Sequence, residues 1–336
     1  MASSNQMNRQ ILLKSRPTGA PSAANFELVE TPVPAPVDGQ VLLRTLFLSL
    51  DPYMRGRMND GPSYAAPAEV GKPMVGGTVA EIVESRRSGY EKGDLVVSYS
   101  GWQEYAISGG TGLAKIDPAI KPPSLALGLV GMPGVTAYCG LMEIGQPKPG
   151  ETLVVAAASG AVGSVVGQIA KLKGLRAVGI AGGPEKCKFA VEELGFDACI
   201  DHHGSDLRQR LAAACPKGID IYFENVGGAV QEALWPLLNN FARVPICGMI
   251  AQYNSTTPTP GPNLATMLVK RMRVQGFIVT DLAPKYPDAA KELATWYREG
   301  KMKYREDVVE GLEKAPEAFL GLLQGKNFGK LVIKVA

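Results

Sequence analysis

Histidine is scarce in this sequence: its 336 residues include only two, the adjacent His202 and His203. A zinc site built from cysteine and histidine needs separated ligands that converge on one point, so this scarcity argues against zinc catalysis, and we expect no metal site. It argues equally against a Ser-His-Asp hydrolase. The cysteines are odd in number, scattered and free of any C-x-x-C pair: Cys139, Cys187, Cys199, Cys215 and Cys247. Most lie in apolar stretches, and we interpret them as buried free thiols in a reducing compartment.

The sequence also lacks the marks of a membrane protein or a nucleic-acid-binding protein. It has no apolar run of the ~18 residues that a membrane helix needs. Charged residues make up 20% of the chain, the formal net charge is +3 and there is no dense basic run, so we expect no nucleic-acid partner. The segment Met1–Gln10 is polar and lacks the apolar stretch of a secretory signal. We therefore expect a cytoplasmic protein.

A strand, a glycine turn and a helix follow one another in the middle of the chain. The run that begins at Thr152 is apolar and β-branched, as is typical of a strand buried on both faces. Gly160 and Gly163 follow in an Ala-x-x-Gly-x-x-Gly turn, and apolar residues then recur at helical spacing up to Gly174. Such glycines let the backbone approach a pyrophosphate, and the helix N-terminus faces its charge. The segment therefore predicts a dinucleotide site, the alternative being a tight turn that binds nothing.

Short strands dominate the first part of the chain. The strand-like segments are separated by glycine and proline turns, one of them at Asp51–Arg57, and they lie at Gln40–Leu50, Thr78–Val83, Asp94–Tyr99 and Gln103–Ile107. This pattern is typical of a β-rich barrel or sandwich. From about Pro122 onward strands and helices alternate, which predicts a parallel sheet with helices on both faces. We expect the segment after residue 304 to return to the first domain.

The end of the second strand in the alternating region discriminates between cofactors. An NAD site usually has an acidic residue there for the ribose hydroxyls, but this strand runs into Gly182 and Gly183, followed by Lys186 and Lys188. A glycine turn followed by lysines suits the 2′-phosphate of NADP, so we predict NADP as the cofactor. We favour Lys186 as the residue that binds this phosphate. Lys188 remains open, because most exposed lysines are solvated helix residues.

Two polar residues follow later strands of the same region. Asn225 ends the fourth strand, and Tyr253 lies in the long segment after the fifth, which we expect to be a polar loop over Met249–Pro262. Ligands of such sheets bind at the carboxyl ends of the strands, and a tyrosine there could hydrogen-bond a carbonyl or donate a proton. The alternatives are an Asn–Gly turn for Asn225 and plain packing for Tyr253.

The sequence resembles the medium-chain dehydrogenase/reductase superfamily over nearly its whole length. The matching stretches are Leu50–Met58, Gly131–Tyr138, Ala157–Lys171, Tyr222–Gly228, Ile246–Asn254 and Gly325–Lys330. It is similar in particular to the zinc-independent double-bond reductases: prostaglandin/leukotriene B4 reductases, plant 2-alkenal reductases and, above all, bacterial NADPH-dependent curcumin reductases. The stretches that resemble the last type are Ala181–Cys187, Asp201–His203 and Lys217–Tyr222.

The resemblance implies an α/β fold in two domains, with the active site in the cleft between them. Residues 128–304 would form a Rossmann domain with a doubly wound parallel sheet, and residues 1–127 and 305–336 a β-rich GroES-like barrel domain. NADPH would be held by Gly160, Ala161, Val162, Gly163, Gly183, Lys186, His202, Asn225, Cys247, Gly248, Tyr253, Phe277, Ile278, Val279 and Asn327. His202 stands where the mammalian reductases have a tyrosine.

The family's chemistry is hydride transfer from NADPH to the β-carbon of an α,β-unsaturated ketone or aldehyde, without a metal. By resemblance, Tyr253 is the residue nearest the carbonyl oxygen, and Tyr53 is a second candidate in the pocket. The resemblance also implies a homodimer and a small-molecule partner. Two alternatives stay open: an NADPH:quinone reductase of the same fold and a non-catalytic NADPH-binding protein.

Overall fold

The computed structural model describes residues 6–204, 206–257 and 259–336, and the chain divides into two compact units. The first unit contains the residues through Leu127 together with Glu306–Ala336, and the second contains Gly128–Arg305. Two sequence expectations fall partly outside the described residues. One concerns the segment Met1–Gln10, which we expect to lack a secretory signal and of which half is not described. The other concerns the loop expected over Met249–Pro262, of which one proline is not described.

The first unit is rich in short strands. Before residue 128 it contains one short helix, α1 (Tyr53–Arg57), and the strands β1 (Met7–Leu13), β2 (Phe26–Pro32), β3 (Val41–Ser49), β4 (Thr78–Ser85), β5 (Leu95–Ser98), β6 (Tyr105–Ser108) and β7 (Ala114–Lys115).

The second unit alternates strands and helices. In chain order it contains α2 (Met132–Cys139), β8 (Thr152–Ala156), α3 (Gly163–Leu172), β9 (Arg176–Ala181), α4 (Pro184–Glu192), β10 (Ala198–Asp201), α5 (Leu207–Ala214), β11 (Ile219–Phe223), α6 (Gly228–Leu234), β12 (Leu238–Ile246), α7 (Leu264–Lys270), β13 (Arg273–Gly276) and α8 (Tyr286–Arg298). The chain then returns to the first unit with β14 (Glu306–Glu310), α9 (Ala315–Leu323) and β15 (Lys330–Lys334).

The six strands of the second unit form one parallel sheet in the order β10-β9-β8-β11-β12-β13. Relative to the first strand of the unit this is the order 3-2-1-4-5-6, the doubly wound arrangement of dinucleotide-binding folds. All five residues of β8 are buried, as expected for a central strand covered on both faces. The order reverses beside β8, so the carboxyl ends of β8 and β11 lie at the position where such sheets bind ligands.

The first unit combines both ends of the chain in one sheet. Its strands follow the order β14-β15-β3-β4-β5-β7, with β6 also paired to β3. The C-terminal strand β15 pairs antiparallel with β3, so that Val332 lies opposite Ser49. Trp102 stacks on Phe26 with ring centroids 5.4 Å apart and meets Phe319 of α9 edge-on at 5.7 Å. The predicted fold class, a Rossmann sheet plus a β-rich GroES-like part built from both chain ends, is therefore confirmed.

Two local expectations were wrong, and one helix was missed. Asp51–Arg57 is not a plain turn, because the five-residue helix α1 begins at Tyr53. The β-branched run at Met272–Thr280 predicts a sixth strand of the alternating region over its whole length, but β13 ends at Gly276 and a 3-10 helix occupies Val279–Lys285. The sequence reading also missed α7, whose first turn is capped by Asn263: its side chain accepts the Ala265 N–H at 2.8 Å.

Within the described residues, no helix combines the length and apolar character needed to cross a membrane.

Candidate functional site

The turn between β8 and α3 is built so that only glycine fits at its end. Ala157, directly after β8, has a φ of +54°, a left-handed conformation that costs a non-glycine residue roughly 1–2 kcal/mol. A Cβ on Gly163 would lie 2.3 Å from the Ala157 carbonyl oxygen, and one on Gly160 would lie 3.2 Å from the same atom. The close approach of backbone segments therefore requires the glycines that the sequence motif contains.

The start of α3 can accept an anion. Val162 occupies the N-cap position and has no polar side-chain atom with which to bond the N–H groups of the first helical turn. Gly160, Ala161 and Val162 are partly exposed, whereas α3 itself is buried over Gly163–Ala170. The N–H groups of Ser164 and Val165 already donate to the carbonyls of Gly160 and Val162 at 3.0 and 3.1 Å. A phosphate here would therefore be bound by the partly exposed backbone just before α3 and by the positive end of the helix dipole.

A second glycine turn joins β9 to α4. Gly183 has a φ of +93°, and its N–H donates to Oδ1 of Asp201 at 2.9 Å. The same oxygen accepts the N–H of His203 at 3.1 Å and contacts its Nδ1 at 2.8 Å. Asp201, at the end of β10, thus holds this turn in place. Sequence reasoning did not single it out, because its partner Gly183 lies in the turn that follows the neighbouring strand β9.

His202 and Lys186 both lie beside this turn. A Cβ on Gly182 would be 3.0 Å from His202 Nε2, and Lys186 is close enough to act electrostatically on the His202 ring. Burial lowers the pKa of His202 from its usual 6.5, and the charges of His203 and Lys186 act in the same direction. His202 is therefore neutral at pH 7, and Lys186 is the residue of this pair that carries positive charge there.

Asn225 joins the ends of two strands. Its side-chain Nδ2 donates to the Ala156 carbonyl at the end of β8 at 2.9 Å. Its backbone carbonyl accepts the Ile250 N–H at 3.2 Å. Asn225 is therefore more than an Asn–Gly turn residue, since it connects the glycine turn after β8 with the segment after β12. These contacts bring Asn225 together with two other predicted parts of the site.

Glu224 organises both loops, and sequence reasoning missed it. Its side chain is fully buried and accepts the N–H groups of Val226 at 2.7 Å and Gly227 at 2.9 Å, and Nε2 of Gln231 at 2.9 Å. Its backbone carbonyl accepts the N–H groups of Cys247 and Gly248 at 2.9 and 3.2 Å. A charged residue that ends an apolar strand was a signal for this role, because a buried carboxylate needs several donors.

Burial raises the pKa of the Glu224 carboxyl, although the N–H groups of Val226 and Gly227 favour the charged form. Burial also raises the pKa of the nearby Cys247 thiol to about 12, with the charge of Glu224 contributing. The Cys247 thiol is therefore protonated at neutral pH and is no nucleophile. Its contribution to the site is the position of its backbone.

Tyr253 folds back over the loop that carries it. A 3-10 turn over Ile250–Gln252 precedes it, its hydroxyl accepts the Met249 N–H at 3.3 Å, and a Cβ on Gly248 would lie 3.1 Å from the same hydroxyl oxygen. A phenol hydroxyl can accept and donate at once, so this contact orients the side chain without using its hydrogen. The expected long loop is thus partly ordered into a turn that presents the tyrosine.

Phe277, Ile278 and Val279 directly follow β13 and are partly exposed. The Phe277 ring meets Phe223 edge-on at 6.3 Å, and a Cβ on Gly140 would lie 2.4 Å from the Phe277 ring. The glycine therefore makes room for the aromatic pair.

Two predicted residues, Tyr53 and Asn327, belong to the first unit. Burial, with a smaller contribution from Asp51, raises the pKa of Tyr53, which keeps its phenol protonated. Asp51 pairs with the buried Lys330 at 3.2 Å, and Lys330 Nζ also donates to the Leu50 carbonyl at 2.9 Å. This ion pair anchors the chain just before α1. Asn327 Nδ2 donates to the Gly329 carbonyl at 2.8 Å.

Two family models match the chain: "N-terminal domain of oxidoreductase" over residues 9–116 and "Zinc-binding dehydrogenase" over residues 161–295. In the part of the chain that the structure describes, no group of three His, Cys, Asp or Glu side chains is placed to hold a metal ion. These described residues therefore do not fit the zinc ion that the second description names.

Named relatives match the chain from end to end. It is 56% identical to the NADPH-dependent curcumin reductase of Escherichia coli, over 100% of this chain and 99% of the relative. It is 45% identical to prostaglandin reductase 1 of Rattus norvegicus, over 96% and 97% of the two chains. The crystal structure of CurA from Vibrio vulnificus in complex with NADPH matches with a TM-score of 0.94 and 54% identity, over 98% of this chain and 99% of that one.

Proposed function

The chain belongs to the medium-chain dehydrogenase/reductase superfamily, and on that premise we propose that it is an NADPH-dependent reductase of carbon–carbon double bonds. Its substrates would be α,β-unsaturated ketones and aldehydes of the curcumin and 2-alkenal type. The observation that carries the proposal is the group of hydrogen bonds that links the glycine turn after β8, Asn225 and the Tyr253 loop at the carboxyl ends of three neighbouring strands.

The residues at these strand ends fit NADPH. The turn at Gly163 has no space for a side chain, which lets a pyrophosphate approach the backbone. The backbone just before α3 would bind this pyrophosphate together with the positive end of the helix. Lys186 would pair with the 2′-phosphate, with His202 beside it. The proposed cofactor-binding residues are Gly160, Ala161, Val162, Gly163, Gly183, Lys186, His202, Asn225, Cys247, Gly248, Tyr253, Phe277, Ile278, Val279 and Asn327.

In the proposed mechanism, the protein orients the substrate and the cofactor and stabilises the charge that develops on the substrate's carbonyl oxygen. When bound, NADPH supplies the hydride that is added to the β-carbon of the substrate. Tyr253 donates a hydrogen bond to the substrate's carbonyl oxygen, where negative charge develops as the double bond is reduced. Tyr53 is the second candidate for this contact, since its raised pKa keeps it a donor. Glu224 holds both the Asn225 and the Tyr253 loops in position.

The proposal extends to domain roles, assembly and location. The second unit would bind NADPH and the first would contribute to substrate binding. A homodimer is supported by three exposed apolar residues on α7, Leu264, Leu268 and Val269, next to the edge strand β13. A cytoplasmic location is supported by the five free cysteines, which are typical of a reducing compartment.

NADPH consumption by the purified protein tests the function. Three acceptors would be compared without added metal: a 2-alkenal, an aryl enone such as curcumin, and a benzoquinone, with products identified by mass spectrometry. We expect the carbon–carbon double bond of the enal or enone to be saturated with its carbonyl intact. Turnover of the quinone alone would replace the proposal with a quinone reductase, and tight NADPH binding without any turnover would indicate a binding protein.

A further inference from the structure

Two cysteines of the second unit form a thiol pair that the proposed reaction does not use. Cys187 lies on α4 and Cys199 on β10, and this helix packs against this strand. Their thiol groups are close enough to act on each other's pKa. Cys199 pairs with Gly179 of β9, and a Cβ there would lie 3.1 Å from the Cys199 sulfur. The glycine therefore leaves the space that the Cys199 side chain occupies.

The two thiols differ in chemical character. The interaction with the Cys199 thiol lowers the pKa of Cys187, and the Ala181 N–H and the charge of Arg210 act in the same direction, against burial and Asp201. The interaction with Cys187, together with burial, raises the pKa of Cys199. Cys187 is also near the N-terminal end of α4, a position that favours a thiolate.

The other three cysteines have no such environment. Burial raises the pKa of the Cys139 thiol, that of Cys215 to about 11 and that of Cys247 to about 12. The prediction that the thiols are buried is wrong for Cys187, Cys199 and Cys247, which are partly exposed because they lie at the edge of the second unit's core or in its loops rather than inside it. An oxidant can therefore reach the Cys187–Cys199 pair. A low-pKa, accessible thiol beside a resolving thiol is the arrangement found in redox-sensitive proteins.

We propose that Cys187 and Cys199 are a peroxide-sensitive dithiol whose disulfide weakens binding at the adjacent Gly183–Lys186 turn. The effect on NADPH rests on the proposed function, whereas formation of the disulfide does not. The oxidant is hydrogen peroxide or an organic hydroperoxide, and Cys187 is the attacking residue.

The oxidation by hydrogen peroxide balances in two steps. The Cys187 thiolate attacks one peroxide oxygen, so that an S–O bond forms, the O–O bond breaks and the departing hydroxide takes up a proton to become water. The Cys199 sulfur then attacks the Cys187 sulfenic acid. The S–S bond forms, the S–O bond breaks, and the departing hydroxide leaves as a second water with the Cys199 proton. Two thiols lose two electrons in all, and one peroxide is reduced to two waters.

The disulfide would act on the neighbouring turn through α4. It requires the two sulfur atoms to lie about 2.05 Å apart, and on this proposal closing the bond draws the first turns of α4 toward β10, against which the helix packs. Lys186 directly precedes Cys187, and the Gly183 N–H is bonded to Asp201 at the end of β10. Both features are therefore displaced relative to a ligand at this turn.

Peptide mapping tests whether the disulfide forms. The full-length protein would be treated with hydrogen peroxide, blocked with N-ethylmaleimide and compared with a dithiothreitol-treated sample by intact mass and digestion. We expect the oxidised chain to lose two hydrogens, with one cross-link between Cys187 and Cys199. Cys187→Ser and Cys199→Ser should each abolish the cross-link, and the control Cys215→Ala should retain it. Absence of the cross-link in a folded wild-type protein would overturn the proposal.

Cofactor titration tests the consequence. NADPH and NADH affinities would be measured by fluorescence on the oxidised and reduced forms of the wild type and of Cys199→Ser. We expect oxidation to weaken NADPH binding by roughly three- to tenfold, the equivalent of about one hydrogen bond, with NADH changed less and the variant unaffected. Unchanged NADPH affinity despite a complete disulfide would overturn the link to the turn. Failure of the reduced protein to bind NADPH would instead remove the proposed function, while the mapping result would stand.

Discussion

At the scale of single residues, the Tyr253 hydroxyl is the proposed contact to the substrate carbonyl. We expect Tyr253→Phe to lower kcat by roughly 10- to 10⁴-fold, the range of general-acid contributions, with NADPH affinity little changed. Steady-state kinetics on an enone and a cofactor titration would check both. Tyr297→Phe, on α8 and outside the predicted site, is the matched control. An unchanged kcat would remove Tyr253 from the mechanism and make Tyr53 the next residue to test.

Lys186 carries the proposed preference for NADPH over NADH. Lys186→Ala should weaken NADPH binding by about 1–3 kcal/mol, the scale of a hydrogen bond to a charged group, and should leave NADH binding nearly unchanged. Lys188→Ala is the control, because Lys188 lies on the same helix, is exposed and pairs with Glu192 at 3.8 Å. Equal losses for the two cofactors in Lys186→Ala would refute the phosphate contact.

Sequence patterns identified residues whose chemistry is local. The turn at Gly160 and Gly163 could be predicted from the sequence because the requirement for glycine arises within a few residues of chain, at the Ala157 carbonyl. The roles of Asp201 and Glu224 could not be predicted in this way. Asp201 bonds a backbone N–H 18 residues away, and the Glu224 carbonyl bonds Cys247 at the end of the next strand. Such contacts depend on strand register, which an isolated sequence does not display.

At the scale of elements, Glu224 determines how β11, β12 and their loops respond to pH. Burial raises its pKa above 4.5 in the folded protein, so the folded state binds the proton more tightly than the unfolded state does. Its contribution to stability must then fall as pH rises from about 4.5 through the raised value. We expect the difference in free energy of unfolding between wild type and Glu224→Gln to decrease over that window, measured by urea denaturation at several pH values.

The control for this experiment is Asp288→Asn, which makes the same acid-to-amide change in the first turn of α8, outside β11, β12 and their loops. A stability difference that increases with pH would mean that the three donors to the Glu224 carboxylate outweigh the cost of burying its charge.

Helix α7 shows why some elements escape a reading of the sequence. It has only seven residues, which are too few for the helical spacing of Leu264, Met267 and Leu268 to stand out in the sequence. Its residues Leu264, Leu268 and Val269 are 70%, 78% and 68% exposed. The signal that was available is Asn263, an N-cap residue at its start. The strand predicted at β13 was too long, because apolar residues continue past Gly276. These residues lie after the end of the strand.

At the scale of the whole molecule, the exposed side of α7 leads to a prediction about assembly. If it forms the proposed dimer contact together with the edge strand β13, Leu268→Glu should shift the protein from dimer to monomer, because a buried charge without a partner is costly. Light scattering after size exclusion would measure the shift. Val308→Glu, at an exposed apolar position on β14, should leave the mass unchanged. A Leu268→Glu protein that remains dimeric would place the contact elsewhere.

The pairing of β15 with β3 has a consequence for how the chain matures during translation. Lys330 Nζ donates to the carbonyl of Leu50 across 280 residues of sequence. β6 pairs with the beginning of β3, at Val41–Arg44, but the end of β3, at Phe47–Ser49, lacks its partner on that side until β15 has been synthesised. The second unit is one continuous segment and can complete its sheet earlier. We therefore expect the second unit to fold first. The first unit would complete its sheet only after β15 has been synthesised, and until then part of one edge of β3 would be open to chaperones or to aggregation.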